Sequence, residues 1–140
     1  MAELLAFGAP AELVRGAHQA SLDEVRHAEL GFALASAYAG RALGPARLPA
    51  AARAEGAATL DAFIEAVISE GCVGETIAAL VASAQLEVAL APAVRRALTA
   101  IARDEANHAE LAWRTIGWVI RTFGDEHRMT ARVAFERASP

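Results

Sequence analysis

Two octapeptides hold most of the residues of this chain that could do chemistry. DEVRHAEL at 23–30 and DEANHAEL at 104–111 agree at six of eight positions and lie 81 residues apart. Each contains Glu-x-x-His, which pairs Glu24 with His27 and Glu105 with His108. Residues three apart share one face of a helix, so each motif projects a carboxylate and an imidazole together. With 13 glutamates and four histidines in 140 residues, chance supplies roughly 0.4 such matches. Two of them inside a repeated octamer need a common cause.

The faces can be read from the spacing. A helix through the first motif aligns Leu13, Ala17, Ala20, Glu24, His27, Gly31, Leu34 and Tyr38. One through the second aligns Val94, Leu98, Ile101, Glu105, His108, Ala112, Thr115 and Val119. Each Glu/His pair thus interrupts a small or apolar stripe that should face a core, where an uncompensated carboxylate is costly. Two such pairs facing each other across a bundle are the ligand pattern of di-iron and di-manganese carboxylate centres. Carboxylate and imidazole donors suit those ions and leave positions open for oxygen chemistry. A satisfied structural polar core is the rival explanation. Asp23 and Asp104 stand four residues before each histidine. They either accept a hydrogen bond from the non-ligating ring nitrogen, fixing its tautomer, or are charges on an exposed helix face.

The elements that must position these groups are long helices. Gly8-Ala9-Pro10 is a loop, and helical periodicity runs from about Ala11 to Ala39, ending near Gly40. Residues 40–56 carry two prolines and three glycines and read as a long crossover rather than a tight hairpin. A third long helix spans about 57–90, Ala91-Pro92 makes a short turn, and another helix covers about 93–123. The tail, 124–140, adds at most a short helix.

A di-metal bundle also draws one glutamate from each of its other two helices. The 57–90 helix offers Glu70 and Glu75. Glu105 is 14 residues beyond Ala91, Glu75 is 16 before it and Glu70 is 21 before it. At ~1.5 Å rise per residue, Glu75 is ~3 Å out of level with Glu105 and Glu70 ~10 Å. Glu75 is therefore the better ligand, and Glu70 is an outer carboxylate, a substitute ligand or a surface charge. In the first hairpin the level partner of Glu24 would precede Met1, and Glu3 is ~14 Å too near the turn. The expectation is a bundle whose first core helix is truncated and whose fourth carboxylate lies outside the sequence. The open seam this leaves predicts self-association into a homo-oligomer, since a large apolar groove rarely stays exposed.

Composition narrows the setting. The length suits one domain with a real core. The chain is 55% hydrophobic, much of it alanine, and only 6% aromatic, which favours helices and not strands. A net charge of −4, and 13 basic residues that are all arginine with no basic block, argue against a nucleic-acid partner. No apolar run approaches the ~20 residues of a membrane span, and no signal peptide is evident. A cytoplasmic protein is expected. The single cysteine, Cys72, forms no internal disulfide or CxxC site and either packs or lines the metal pocket. Gly71 and Gly74 beside Glu75 suggest close backbone approach or a local helix distortion. His18 reads as a core or boundary histidine, His127 as solvent-exposed, and Trp113, Trp118 and Phe123 as core or interface.

These motifs resemble the two Asp-Glu-x-x-His motifs of the ferritin-like superfamily. The stretch RDEANH is similar to the second motif of ribonucleotide reductase small subunits. LLAFGAP resembles the end of the first core helix in uncharacterised bacterial ferritin-like domain proteins, where a Glu-His-Ala-Ser-type segment precedes it; that segment is missing here. The resemblance covers about 4–123. It implies a ferritin-like four-helix bundle with a long crossover. Glu24, His27, Glu75, Glu105 and His108 would hold two Fe (or Mn) ions, with Asp23, Asp104 and Glu70 behind them. The activity implied is that of a non-haem oxidoreductase activating dioxygen or peroxide on a small molecule the sequence does not name. Metal binding or storage without turnover is one alternative. A non-catalytic helical interaction domain that has lost its fourth carboxylate is another.

Overall fold

Helix boundaries fall where proline, glycine and a capping threonine force them. A computed structural model describes residues 2–47, 57 and 59–139, which form a helical bundle; among the described residues there is no strand. A stub, α1 (Ala2–Ala6), turns through Gly8 at φ 71° into α2 (Ala11–Ala39). Pro10, with φ −56°, precedes α2, and Gly40, left-handed at φ 62°, ends it. The first part of the expected crossover, 41–47, is non-helical, and the rest of it, 48–56, lies outside the described residues.

The third helix starts at Leu60 and not at Ala57, because Thr59 caps it: its Oγ1 accepts from the Ala62 amide at 3.2 Å. It is also not one uniform helix. After α3 (Leu60–Ala66) the chain widens into a π-helical stretch, Val67–Gly74, before resuming as α4 (Glu75–Val88). Pro92 opens α5 (Pro92–Phe123) in its first turn, where a missing amide costs nothing. Gly124, at φ 103°, ends it, and the tail forms α6 (His127–Ala138).

The core gathers around the C-terminal half of α5. Ile116, Trp118 and Val119 from α5 meet Ile64, Ile68 and Cys72, with Leu4, Leu13, Ala131 and Ala134 closing the ends. Cys72 belongs to this packing, and burial pushes its thiol up to about 12, so it is inert at neutral pH. Trp118 is buried, stacked edge-on against Phe123, while Trp113 is half-exposed beside Phe135 of α6.

Two histidines sit differently from their sequence reading. His127 is not a free surface group: its Nδ1 lies 3.0 Å from Asp61 Oδ1, which also accepts from Thr130 Oγ1 at 3.0 Å. This pair pins α6 to α3, and the hydrogen bonds from His127 and Thr130 hold the Asp61 carboxyl below its ordinary pKa. His18 is exposed and not a core or boundary residue, because no helix of the described residues covers that flank of α2. Of the 29 residues of α2 only Leu13 is fully buried. No described helix is long and apolar enough to cross a membrane.

Candidate metal centre

Close approach of the π stretch to α5 sets the position of Glu75. A Cβ on Gly71 would lie 2.6 Å from the Ala112 Cβ, so only glycine allows this contact. The Glu75 amide donates to the Glu70 carbonyl, a five-residue step that replaces the α-helical four. The wider turn rotates Glu75 relative to the preceding helix. Its carboxylate lies with Glu105 and His108, which stand two turns and one turn before Ala112 on α5.

Glu24, Glu75, Glu105 and His108 each offer a donor atom, and these four atoms lie within 4.8 Å of one another. His27 faces the same space. Its Nδ1 is 3.3 Å from Glu105 Oε1 and 3.6 Å from Glu24 Oε1, and the two imidazole ring centres are 6.1 Å apart. His108 Nδ1 lies 3.1 Å from Glu105 Oε2 and 3.5 Å from Glu24 Oε1. Both Nδ1 atoms therefore point at the same two glutamates. Glu105 and His108 are buried, whereas the Glu24 side chain is 56% exposed and Glu75 is intermediate.

The aspartates hold the far sides of the rings, and they do so crosswise. His27 Nε2 lies 3.3 Å from Asp104 Oδ2, and His108 Nε2 lies 3.3 Å from Asp23 Oδ2. Each imidazole is thus oriented by the aspartate of the other motif. Behind Asp104 stands Arg103, whose Nε and Nη2 donate to Oδ1 at 3.0 and 2.8 Å. Behind Asp23 stands Gln19, whose Nε2 donates to Oδ1 at 2.9 Å. Burial works against the Asp104 carboxylate, but its hydrogen bonds from Arg103 and His27 prevail and lower its pKa. The sequence assigns no role to Arg103, although it opens the RDEANH stretch, or to Gln19, one helical turn before Asp23.

The charge balance of the cluster is unfavourable without a cation. Burial, the facing Glu105 carboxylate, and then the charges of Glu24 and Glu70 push the Glu75 carboxyl up to about 8. His27 Nδ1 is buried and has no hydrogen-bond partner; Glu105 Oε1 is near enough but out of line. With the Nε2 proton directed at Asp104, the Nδ1 lone pair faces carboxylate oxygens, an arrangement that a metal ion between them would satisfy. The residues present therefore fit a carboxylate- and imidazole-bound ion. Glu70 is exposed and outside the four-donor set, but it lines the same groove as Glu75 and His108. That groove, about 520 Å³, runs between α2 and α3 over α5, walled by Ala17, Phe63, Val67 and Leu111.

No protein-family model, curated protein or solved structure matches the chain. The functional reading rests on the cluster itself.

Proposed function

We propose that this chain is a ferritin-like, non-haem di-metal protein, an oxidoreductase that activates dioxygen or peroxide with iron or manganese. The observation that carries this reading is the buried, unpartnered Nδ1 of His27, aimed at the carboxylates that His108 Nδ1 also faces. Glu24 and Glu105, each close to both Nδ1 atoms, would hold metal together with His27 and His108, and Glu75 would add a donor beside His108. Iron or manganese bound by these residues would supply the redox chemistry that dioxygen or peroxide needs. The chain's own contribution is fixed geometry: Asp104 and Asp23 stand at Nε2 of each imidazole, which with Nε2 protonated would leave Nδ1 to bind an ion. Exposed Glu24 can shift its carboxylate as the charge of the centre changes, a freedom that buried Glu105 lacks.

Metal storage is the second reading, favoured by the groove that leaves the cluster accessible beside Glu75. Metal analysis of protein purified without chelators, followed by anaerobic reconstitution with Fe(II) and exposure to oxygen, tests both. About two ions per chain, with oxygen uptake and recycling by a chemical reductant, supports the oxidoreductase. Bound metal that oxidises once and stays inert supports storage. Failure to retain iron or manganese would sink both.

A further inference from the structure

The two halves of the cluster repeat one another in sequence but differ in three contacts. On the His108 half, four donors converge: a ring nitrogen and carboxylate oxygens from Glu24, Glu75 and Glu105. On the His27 half, Nδ1 meets Glu24 and Glu105, both already counted, and His27 lies outside the four-donor set that Glu75 completes. The outer partners differ as well. A neutral amide from Gln19 steadies Asp23, leaving its full negative charge behind His108. A guanidinium steadies Asp104, with two nitrogens of Arg103 on a single oxygen. That cation drains charge from the carboxylate that accepts from His27, weakening His27 as an electron donor, and it repels a divalent ion on that side.

We propose that the halves load unequally: a divalent ion fills the His108 half first and more tightly, and Arg103, acting through Asp104, keeps the His27 half the weaker. The inference rests on the metal reading above and adds an order of filling to it. One contact opposes it. An ion entering the His108 half must replace the 3.1 Å contact between Nδ1 and Glu105 Oε2. It gains three carboxylates there against two in the other half, and the larger negative charge decides the order. Arg103 touches no donor atom of the cluster in this scheme, so it is a positioning residue, and the quantity it sets is the gap between two affinities.

The experiment is a Mn(II) titration of the full chain, read by loss of the free-ion electron paramagnetic resonance signal. Two binding steps separated by about tenfold or more are expected, the range over which outer partners tune metal affinity. His27→Ala should delete the weaker step and leave the tighter one, while Glu75→Gln should weaken the tighter. Arg103→Gln should bring the two steps together, because the amide repeats the neutral contact that Gln19 makes with Asp23. The Arg103 side chain is 66% exposed, so this variant leaves the core intact, and an unchanged melting curve verifies that. Two equal steps overturn the proposal. So does loss of the tighter step in His27→Ala, or an undiminished gap in Arg103→Gln. No Mn(II) uptake at all overturns the metal reading together with it, whereas equal uptake overturns the inequality alone.

Discussion

His27 and Asp104 are 77 residues apart in the chain, yet Nε2 of the first lies 3.3 Å from Oδ2 of the second. The contact joins α2 to α5, and the matching one between His108 and Asp23 returns from α5 to α2. Each Asp-Glu-x-x-His motif is therefore half of two composite units. Its glutamate and histidine face inward, and its aspartate serves the other motif's ring.

This crossing gives the first expectation. Asp104→Asn or Asp23→Asn should lower the affinity for iron or manganese by about 10- to 100-fold, the usual cost of losing a carboxylate behind a ligating histidine. Competition against a chromophoric chelator measures it. Each substitution should act on the histidine of the opposite motif, so Asp104→Asn should perturb the His27 ring resonances more than those of His108. The reverse pattern would show that the aspartates serve their own motifs.

The inward pairs were legible in the sequence because Glu-x-x-His spacing and helix geometry are local facts. The aspartate partners were not, since position 23 or 104 alone says nothing about which imidazole the docked helix brings near. The same limit explains His127: its partner Asp61 is 66 residues away, and a polar tail gives no hint of it. Glu75 could be preferred to Glu70 from hairpin levels alone. What the level count missed was the π stretch before Glu75, although Gly71 and Gly74 advertised a distortion. His18 reads as covered because its stripe pattern implies a neighbour, and a stripe does not report which side of a helix the described residues leave exposed.

A second expectation concerns acidity. Glu75 carries a carboxyl raised from 4.5 to about 8 by burial and by the neighbouring carboxylates Glu105, Glu24 and Glu70. Between those two values the folded chain holds a proton that the unfolded chain releases. Stability of the metal-free protein must then fall as pH rises through that window. A bound divalent ion takes the place of the proton, so the loaded protein should lose less, or gain, over the same range. Melting temperatures from about pH 5 to about pH 8, with EDTA and with Mn(II), test this against Glu75→Gln, whose metal-free slope should be flatter. A metal-free slope unchanged by Glu75→Gln would contradict the assignment.

Glycine 71 supplies a third. Its added Cβ would strike Ala112 Cβ at 2.6 Å, and that atom is fixed to the α5 backbone. Gly71→Ala should therefore push the π stretch away from α5 and destabilise the fold by about 1–3 kcal/mol, the usual cost of overpacking. Gly16→Ala is the contrasting case: its Cβ would also meet a neighbour at 2.6 Å, but the neighbour is the end of the flexible Leu111 side chain. There the helix-propensity gain of about 1 kcal/mol offsets much of the strain. Urea unfolding should separate the two substitutions, and Gly71→Ala with Ala112→Gly should recover part of the loss. Equal effects of the two single changes would argue against the close approach.

The last expectation follows from surface. Exposed apolar side chains are concentrated on two helices. On α4, Ile77, Leu80, Val81 and Val88 are exposed on the side opposite the α5 contact, and on α2, Leu22 and Val25 are exposed. Apart from Glu75 and Glu87, α4 has no charged residue, and a helix apolar on all sides is normally covered. We expect a second copy of the chain to cover it, giving a dimer or larger assembly at micromolar concentration by light scattering. Leu80→Lys with Val81→Lys should return the protein to monomers while leaving helicity and Mn(II) uptake in place, since both side chains are exposed and neither belongs to the donor set. A native chain that runs as a monomer at every concentration, with its apolar face open to a hydrophobic dye, would refute self-association.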